Sequence, residues 1–205
     1  MKVSAVISRP DIRIDSTNKS AIVSGAVISA GIILGAALYV FAKDSLTGDL
    51  FDYFISFSVD FSNKNKPEII SGLIMQNIIY FVLMLIFGTS VIGSPAVYFL
   101  SLLKTSGLGL LIAYIYDCYA LKGIEYCLLV MFPGKFLLIF AMVLLTQNCS
   151  HMSTGIYQCI KNTESRGADI RKFSARSVLI LIILLISSLV DFVALISFSS
   201  LFDFS

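Results

Sequence analysis

Residues 69–116 read IISGLIMQNIIYFVLMLIFGTSVIGSPAVYFLSLLKTSGLGLLIAYIY, and Lys104 is their single charged residue. A helix of about 20 mostly apolar residues is long enough to cross a bilayer. The stretch therefore predicts two membrane-spanning helices, at 69–92 and 96–116. A Gly-Ser-Pro sequence at 93–95 predicts a tight turn between them.

Three further apolar stretches predict three more spanning helices, at 21–42, 124–146 and 177–200. The first is too long for the core of a signal peptide, so we expect it to be retained as a membrane anchor. Inside lipid only helices and closed barrels satisfy all their backbone polar groups. The predicted fold is all-α: one integral membrane domain over residues 1–205, with five transmembrane helices in the bilayer.

Composition excludes several classes of protein. Hydrophobic residues make up 57% of the chain and charged residues 14%, whereas a soluble domain has about 25% charged residues. The formal net charge of +2 provides no Lys/Arg-rich face that could neutralise several phosphates. We therefore expect no nucleic-acid partner.

Metal, cofactor and active sites are not expected either. The four cysteines lack CxxC spacing, and His151 alone cannot complete a metal site with them. Free thiols are predicted, with a Cys118–Cys127 disulfide as the alternative. Intramembrane proteases need paired aspartates, a Ser/His pair or a metal motif, and Asp191 is the single aspartate deep in a span. The sequence therefore predicts no enzyme and no cofactor.

Basic residues predict the orientation. The tail 1–20 and the loop 147–176 together hold nine lysines and arginines, whereas the loop 43–68 and Lys122 contribute four on the other side. Cytoplasmic segments carry the excess of basic residues. We therefore expect a cytoplasmic N-terminus and, after five crossings, a C-terminus outside.

The predicted outer loop, 43–68, contains the aromatic sequence FDYFISFSVDFS at 51–62. Its alternation of apolar and polar residues favours a strand, but several of its phenylalanines also share one helical face. A lone strand has no partner in a helical membrane protein, so we favour an interfacial helix. Its candidate partner-binding residues are Phe51, Phe54, Phe57 and Phe61. The alternative is that they form an aromatic belt at the headgroups.

The predicted cytoplasmic loop, 147–176, mixes polar and basic residues. We expect the fourth helix to continue past the bilayer, to turn near 163–168 and to lead into the fifth helix. The basic residues of this loop would face anionic lipid headgroups.

Lys104, Lys135 and Asp191 are the ionisable residues deepest in their spans. Each costs about 2.5–3.5 kcal/mol at a helix centre, so each needs a partner or water. Their depths allow a Lys135–Asp191 pair between consecutive helices, which we take as a hypothesis. Lys104 is either the competing partner or extends its ammonium toward the cytoplasmic side. A structural pair is favoured over a proton or ion relay, which usually recruits more titratable groups.

Pro133 and Gly134 directly precede Lys135 in the fourth span. Proline removes a backbone hydrogen bond and glycine loosens the helical turn. We therefore predict a helix break here, as a kink or a discontinuous helix. In transporters such breaks mark substrate sites, which is the alternative to a simple kink.

The stretch GTSVIGSPAVYFLSLLKTSGLGLLIAY at 88–114 resembles the stage II sporulation protein M family. It shares a glycine-bearing turn, an apolar segment, and a lysine followed by spaced glycines. The Pro133-Gly134 break occupies the place of a proline-centred motif, where many relatives have Pro-His-Gly followed by an acidic residue. The five spans and their orientation extend the resemblance over most of the chain.

The resemblance implies a role in endospore formation. Sporulation members of the family look like membrane scaffolds for engulfment, which recruit the peptidoglycan-degrading stage II sporulation proteins P and D to the septum. We therefore expect a non-enzymatic, multi-pass membrane scaffold in the septal or engulfing membrane, with the lipid bilayer and those two proteins as partners. The alternative is a small permease or the membrane subunit of an export complex.

Overall fold

The computed structural model describes residues 12–42, 66–161 and 170–198. Across these ranges the chain is helical and contains no strand. A π-helical turn at Cys127–Met131 joins the third helix to the fourth. The five helices are α1 (Ile12–Ala42), α2 (Lys66–Gly88), α3 (Gly93–Tyr126), α4 (Phe132–Lys161) and α5 (Ile170–Phe198).

Five segments are long and apolar enough to cross a membrane. They are Ser20–Phe41, Ile70–Gly88, Gly93–Asp117, Gly123–Lys161 and Ile170–Ser197. The chain is therefore an all-helical, multi-pass membrane protein in the part that the structure describes, as the sequence predicts.

The fourth and fifth helices are longer than the apolar pattern predicts. The predicted spans are 124–146 and 177–200, whereas α4 continues to Lys161 and α5 already begins at Ile170. Helical hydrogen bonds do not require lipid, so a helix can continue into water. The predicted extension of the fourth helix is present, and the turn near 163–168 lies outside the described residues.

The turn between α2 and α3 differs from the prediction. It occupies residues 89–92, and the predicted turn residues 93–95 form the start of α3. Proline is accepted in the first turn of a helix, where its missing N–H has no intrahelical partner. Gly93 packs so closely that a Cβ there would overlap the carbonyl oxygen of Phe87.

Glycines bring α1 and α3 into backbone contact, the most extensive contact between two helices. A Cβ on Gly35 would overlap the carbonyl oxygen of Ser106, and a Cβ on Gly109 would overlap that of Ile32. Gly31 meets α3 one turn earlier. Small residues allow this close approach of helices in a membrane.

A strained residue separates the third and fourth spans. Ala120 has φ 48° and ψ −122°, which interrupts the helical conformation of α3. A residue with a Cβ rarely adopts this conformation. Gly123 lies directly against the backbone of Ile115, so the chain reverses here and α4 packs beside α3.

Helix α4 lies at the centre of the bundle, since it contacts each of the other four helices. Its inward face carries Leu138, Met142 and Leu145, which are at most 2% exposed. They pack with Met84 of α2 and Leu184 of α5 in one core cluster. This arrangement places the polar residues of α4 between its neighbours.

Candidate functional site

An ion pair joins α4 to α5 inside the membrane-spanning region. Lys135 Nζ lies 2.9 Å from Asp191 Oδ2, and the two side chains are 25% and 6% exposed. These two residues, which their positions along the predicted spans suggested as partners, are thus in contact. A buried carboxylate is costly unless it is paired and hydrogen-bonded, and the Lys135 ammonium supplies both interactions.

Gly134 makes room for the Asp191 carboxylate. A Cβ at this position would overlap Asp191 Oδ1, so the carboxylate lies directly on the backbone of α4. Ser187, one turn earlier on α5, donates a hydrogen bond of 2.8 Å to the Gly134 carbonyl oxygen. The Gly134-Lys135 dipeptide therefore contacts α5 through both its backbone and its side chain.

A π-helical turn lies directly before the predicted helix break at Pro133 and Gly134. The chain stays helical through Pro133 and Gly134, and the five residues Cys127–Met131 before them form a π-helical turn. Within this turn the Phe132 N–H donates to the Cys127 carbonyl oxygen, five residues earlier. Proline has no N–H for the usual bond four residues back. The π turn therefore accommodates Pro133 without ending the helix.

Asn77 connects α2 to the same region of α5. Its side-chain amide donates a hydrogen bond of 2.9 Å to Ser188 Oγ, and both residues are buried. The Ser188 hydroxyl in turn donates to the Leu184 carbonyl oxygen at 3.1 Å. Ser187 and Ser188 are adjacent, so α5 binds α4 with one hydroxyl and α2 with the next.

A second set of hydrogen bonds joins α2, α3 and α4. Ser101 Oγ lies 3.2 Å from the Tyr80 hydroxyl and 2.6 Å from Thr146 Oγ1. It also donates to the Val97 carbonyl oxygen at 2.9 Å. Because a hydroxyl has one proton to donate, the Tyr80 and Thr146 hydroxyls are the donors to Ser101. Tyr80 is one helical turn from Asn77, which links the two sets.

Lys104 lies beside this network and not at Asp191. Its ammonium is 5.9 Å from the centroid of the Tyr80 ring, within the range of a cation–π interaction. The side chain is partly buried, and its charge repels that of Lys135. The competing Lys104–Asp191 pair is therefore not formed in this structure.

These contacts form one polar cluster in the middle of the bundle, which we call the intramembrane polar cluster. Two lysines and one aspartate give it a net charge of +1. It links α2, α3, α4 and α5 by hydrogen bonds at membrane depth. Its members are Asn77, Tyr80, Ser101, Lys104, Lys135, Thr146, Ser187, Ser188 and Asp191.

A separate group of serines fixes the turn between α2 and α3 to α4. Ser153 Oγ accepts a hydrogen bond of 2.9 Å from the Ser94 N–H and donates one of 3.0 Å to the Ser90 carbonyl oxygen. Ser94 Oγ lies 3.1 Å from Ser150 Oγ. The first of these bonds satisfies the Ser94 N–H, which has no intrahelical partner at the start of α3.

The other predicted sites have different outcomes. The aromatic residues Phe51, Phe54, Phe57 and Phe61 lie outside the described residues. Cys127 is a free thiol, so the alternative Cys118–Cys127 disulfide is wrong. Across 12–42, 66–161 and 170–198, no three His, Cys, Asp or Glu side chains form a group suited to a metal ion.

Sequence reasoning missed the uncharged members of the cluster, among them Asn77, Ser101 and Thr146. Asn77 had a usable signal, because an amide deep in an apolar span needs a hydrogen-bond partner. The hydroxyl groups of Ser101 and Thr146 gave no such signal in the sequence. A serine in a span can bond its own helix, as Ser29 does with Ala26, or another helix, as Ser187 does with α4.

Comparison with known proteins identifies the family. The family model described as SpoIIM, stage II sporulation protein M, matches residues 22–193. No match was found among curated proteins or among solved structures. The matched residues include the five apolar segments, except for two residues at the start of the first and four at the end of the fifth. They also include the turn between α2 and α3 and the ion pair of α4 with α5. The chain therefore belongs to the stage II sporulation protein M family, a family of sporulation-related membrane proteins.

Proposed function

We propose that this protein is a non-enzymatic membrane scaffold for engulfment of the forespore. In this role it recruits peptidoglycan-degrading partners, the stage II sporulation proteins P and D, to the septal and engulfing membrane. Family membership supports the link to sporulation. The scaffold role goes beyond this link to sporulation and is our proposal.

The observation that carries the proposal is how the polar groups of the spans are used. In the described residues each fully buried polar side-chain atom has a hydrogen-bond partner. Many of these bonds join different helices, including Asn77 to Ser188, Ser187 to Gly134 and Lys135 to Asp191. Fully satisfied polar networks make a bundle rigid. A rigid bundle suits a protein that holds other proteins in place.

In the proposed orientation the partner-binding surface lies on the extracytoplasmic side of the membrane. The excess of basic residues in the tail 1–20 and the loop 147–176 favours a cytoplasmic N-terminus. Five crossings then place the segment 43–65 and the C-terminus on the other side. Aromatic side chains dominate the contact energy of many protein interfaces, so we assign partner binding to Phe51, Phe54, Phe57 and Phe61.

Replacement of Phe57 and Phe61 by serine tests this function. The double variant should enter the membrane normally but should lose most of the co-purifying stage II sporulation proteins P and D, because serine removes the apolar contact area. Ser56→Ala with Ser58→Ala in the same segment is the matched control and should retain both partners. Equal recovery of the partners with both double variants would contradict the assignment.

A second candidate function is transport, and one observation favours it. The π-helical turn Cys127–Met131 lies a few residues before the Lys135–Asp191 pair, and π turns inside helices are frequent at functional sites. Two measurements separate the candidates. A scaffold should accumulate at the septum and give no flux after reconstitution, whereas a transporter should be distributed over the whole membrane and should carry ions or solutes across vesicles.

A further inference from the structure

Lys104 lies at the middle of its span. It is eleven residues after Gly93 and thirteen before Asp117, the ends of the third apolar segment. At about 1.5 Å per residue each end is roughly 16–20 Å away along the helix. Half of a bilayer's hydrocarbon core is about 15 Å thick, so the Lys104 Cα lies near the bilayer centre.

The intramembrane polar cluster leaves this charge uncompensated. In the part of the chain that the structure describes, Lys104 forms no ion pair, and its polar contact is the ring of Tyr80. The nearest carboxylate by depth, that of Asp191, is already held by Lys135. Lys135 adds repulsion to Lys104. The site therefore has an excess positive charge where charge is least tolerated.

The surface beside Lys104 is open to another helix. Lys104 is partly exposed, and Gly107, one helical turn later on α3, has no atom within 4 Å of the position that a Cβ would take. In this respect Gly107 differs from Gly109 on the same helix, which lies against the α1 backbone. A helix from another protein can thus approach the α3 backbone closely at Gly107.

We propose that a transmembrane helix of a partner protein packs at Gly107 and places an aspartate or glutamate carboxylate beside the Lys104 ammonium. The inference rests on the proposed scaffold role, because it assigns a membrane-embedded contact to a recruited partner. A second copy of this chain does not fit the same chemistry. Among the described side chains its remaining carboxylates, Asp117 and Glu125, lie near the ends of their spans.

Binding of designed transmembrane peptides tests the proposal directly. The full chain is labelled with a donor fluorophore and reconstituted in phosphatidylcholine vesicles with an acceptor-labelled leucine-rich helix. One peptide carries a central aspartate, and its control has leucine at that position. We expect energy transfer to show about tenfold stronger association of the aspartate peptide, because a charge pair in lipid has no competing water. Equal association of the two peptides would overturn the proposal.

Three variants locate the contact. Lys104→Met should abolish the preference for the aspartate peptide, and Lys104→Arg should retain it. Gly107→Leu keeps the lysine but fills the open surface, so it should also lose the preference. The Gly107→Leu protein decides the matter if Lys104→Met fails to fold. Retention of the preference in a folded Lys104→Met or in Gly107→Leu would exclude this contact.

Two further outcomes separate the contact at Lys104 from the aromatic contact. If the protein binds the aspartate and leucine peptides equally but the Phe57 and Phe61 double variant still loses the partners in cells, the scaffold role stands without the contact at Lys104. If the protein prefers the aspartate peptide and the Phe57 and Phe61 double variant retains the partners, the intramembrane contact stands and the assignment of partner binding to the phenylalanines is wrong.

Discussion

Asp191 has a 6% exposed side chain in an apolar bundle, and three residues of other types make that position tolerable. Lys135 neutralises the carboxylate, Gly134 leaves space for it, and Ser187 fixes the neighbouring backbone. Each contribution depends on α4 and α5 keeping one register. The ion pair therefore acts as a specific lock between these helices more than as a source of net stability, which buried pairs supply weakly.

Removal of one charge should be more harmful than removal of both. Asp191→Asn leaves Lys135 without a counter-charge in the membrane, so the free energy of unfolding should fall by about 2.5–3.5 kcal/mol. Lys135→Met combined with Asp191→Leu removes both charges and should recover much of that loss. Unfolding in mixed micelles by a denaturing detergent measures both effects.

Glu125→Gln is the control for this series, because it removes an exposed carboxylate near the end of a span. It should shift the unfolding midpoint little. An Asp191→Asn protein that unfolds at the wild-type detergent concentration would show that the Lys135–Asp191 pair has no structural role.

The positions of Lys135 and Asp191 along their predicted spans indicate similar depths in the bilayer. These positions could not decide whether Lys135 or Lys104 is the partner of Asp191. That choice depends on which way each helix faces. An apolar residue on a membrane helix is compatible with lipid as well as with a neighbouring helix, so the hydrophobic pattern does not report the buried face. For the same reason the hydroxyl network of Ser101 and Thr146 was not predictable.

Helix α1 is an example of an element whose packing depends on a few positions. Gly31 and Gly35 are four residues apart and place the α1 backbone against α3. Gly25, nearly three turns before Gly35 on the same helix, faces open space. An added methyl group at Gly35 therefore has a structural consequence that the same change at Gly25 lacks.

Gly35→Ala should destabilise the protein, whereas Gly25→Ala should not. The added methyl at Gly35 would overlap the Ser106 backbone, which must move away at a cost of about 1–3 kcal/mol. At Gly25 it meets no atom within 4 Å. The unfolding midpoints of the two variants in the same mixed micelles measure the difference. Equal midpoints would mean that α1 does not pack on α3 through Gly35.

The number and approximate position of the helices followed from apolar length, because a span needs about 20 such residues. The residues at which the helices begin and end did not follow from apolar length. The Gly-Ser-Pro sequence at 93–95 favours both a turn and a helix start, and the close contact of Gly93 with Phe87 decides for the helix start.

In the part that the structure describes, the molecule is a helical bundle whose interior combines an apolar core with polar groups bonded between helices, and the chain belongs to a family of sporulation-related membrane proteins. The cross-helix hydrogen bonds hold the helices in fixed relative positions, which is what a membrane platform for partner proteins requires. Such a platform serves extracytoplasmic partners if its aromatic segment faces outward. The orientation of the bundle is therefore central to the proposed function.

Accessibility of single cysteines tests that orientation most directly. With the four native cysteines replaced by alanine, Phe57→Cys and Ser165→Cys each report one predicted side of the membrane. A membrane-impermeant thiol reagent should label position 57 in intact cells and should label position 165 after permeabilisation alone, because the positive-inside pattern predicts a cytoplasmic loop 147–176. Labelling of position 165 in intact cells, with position 57 protected, would contradict the account.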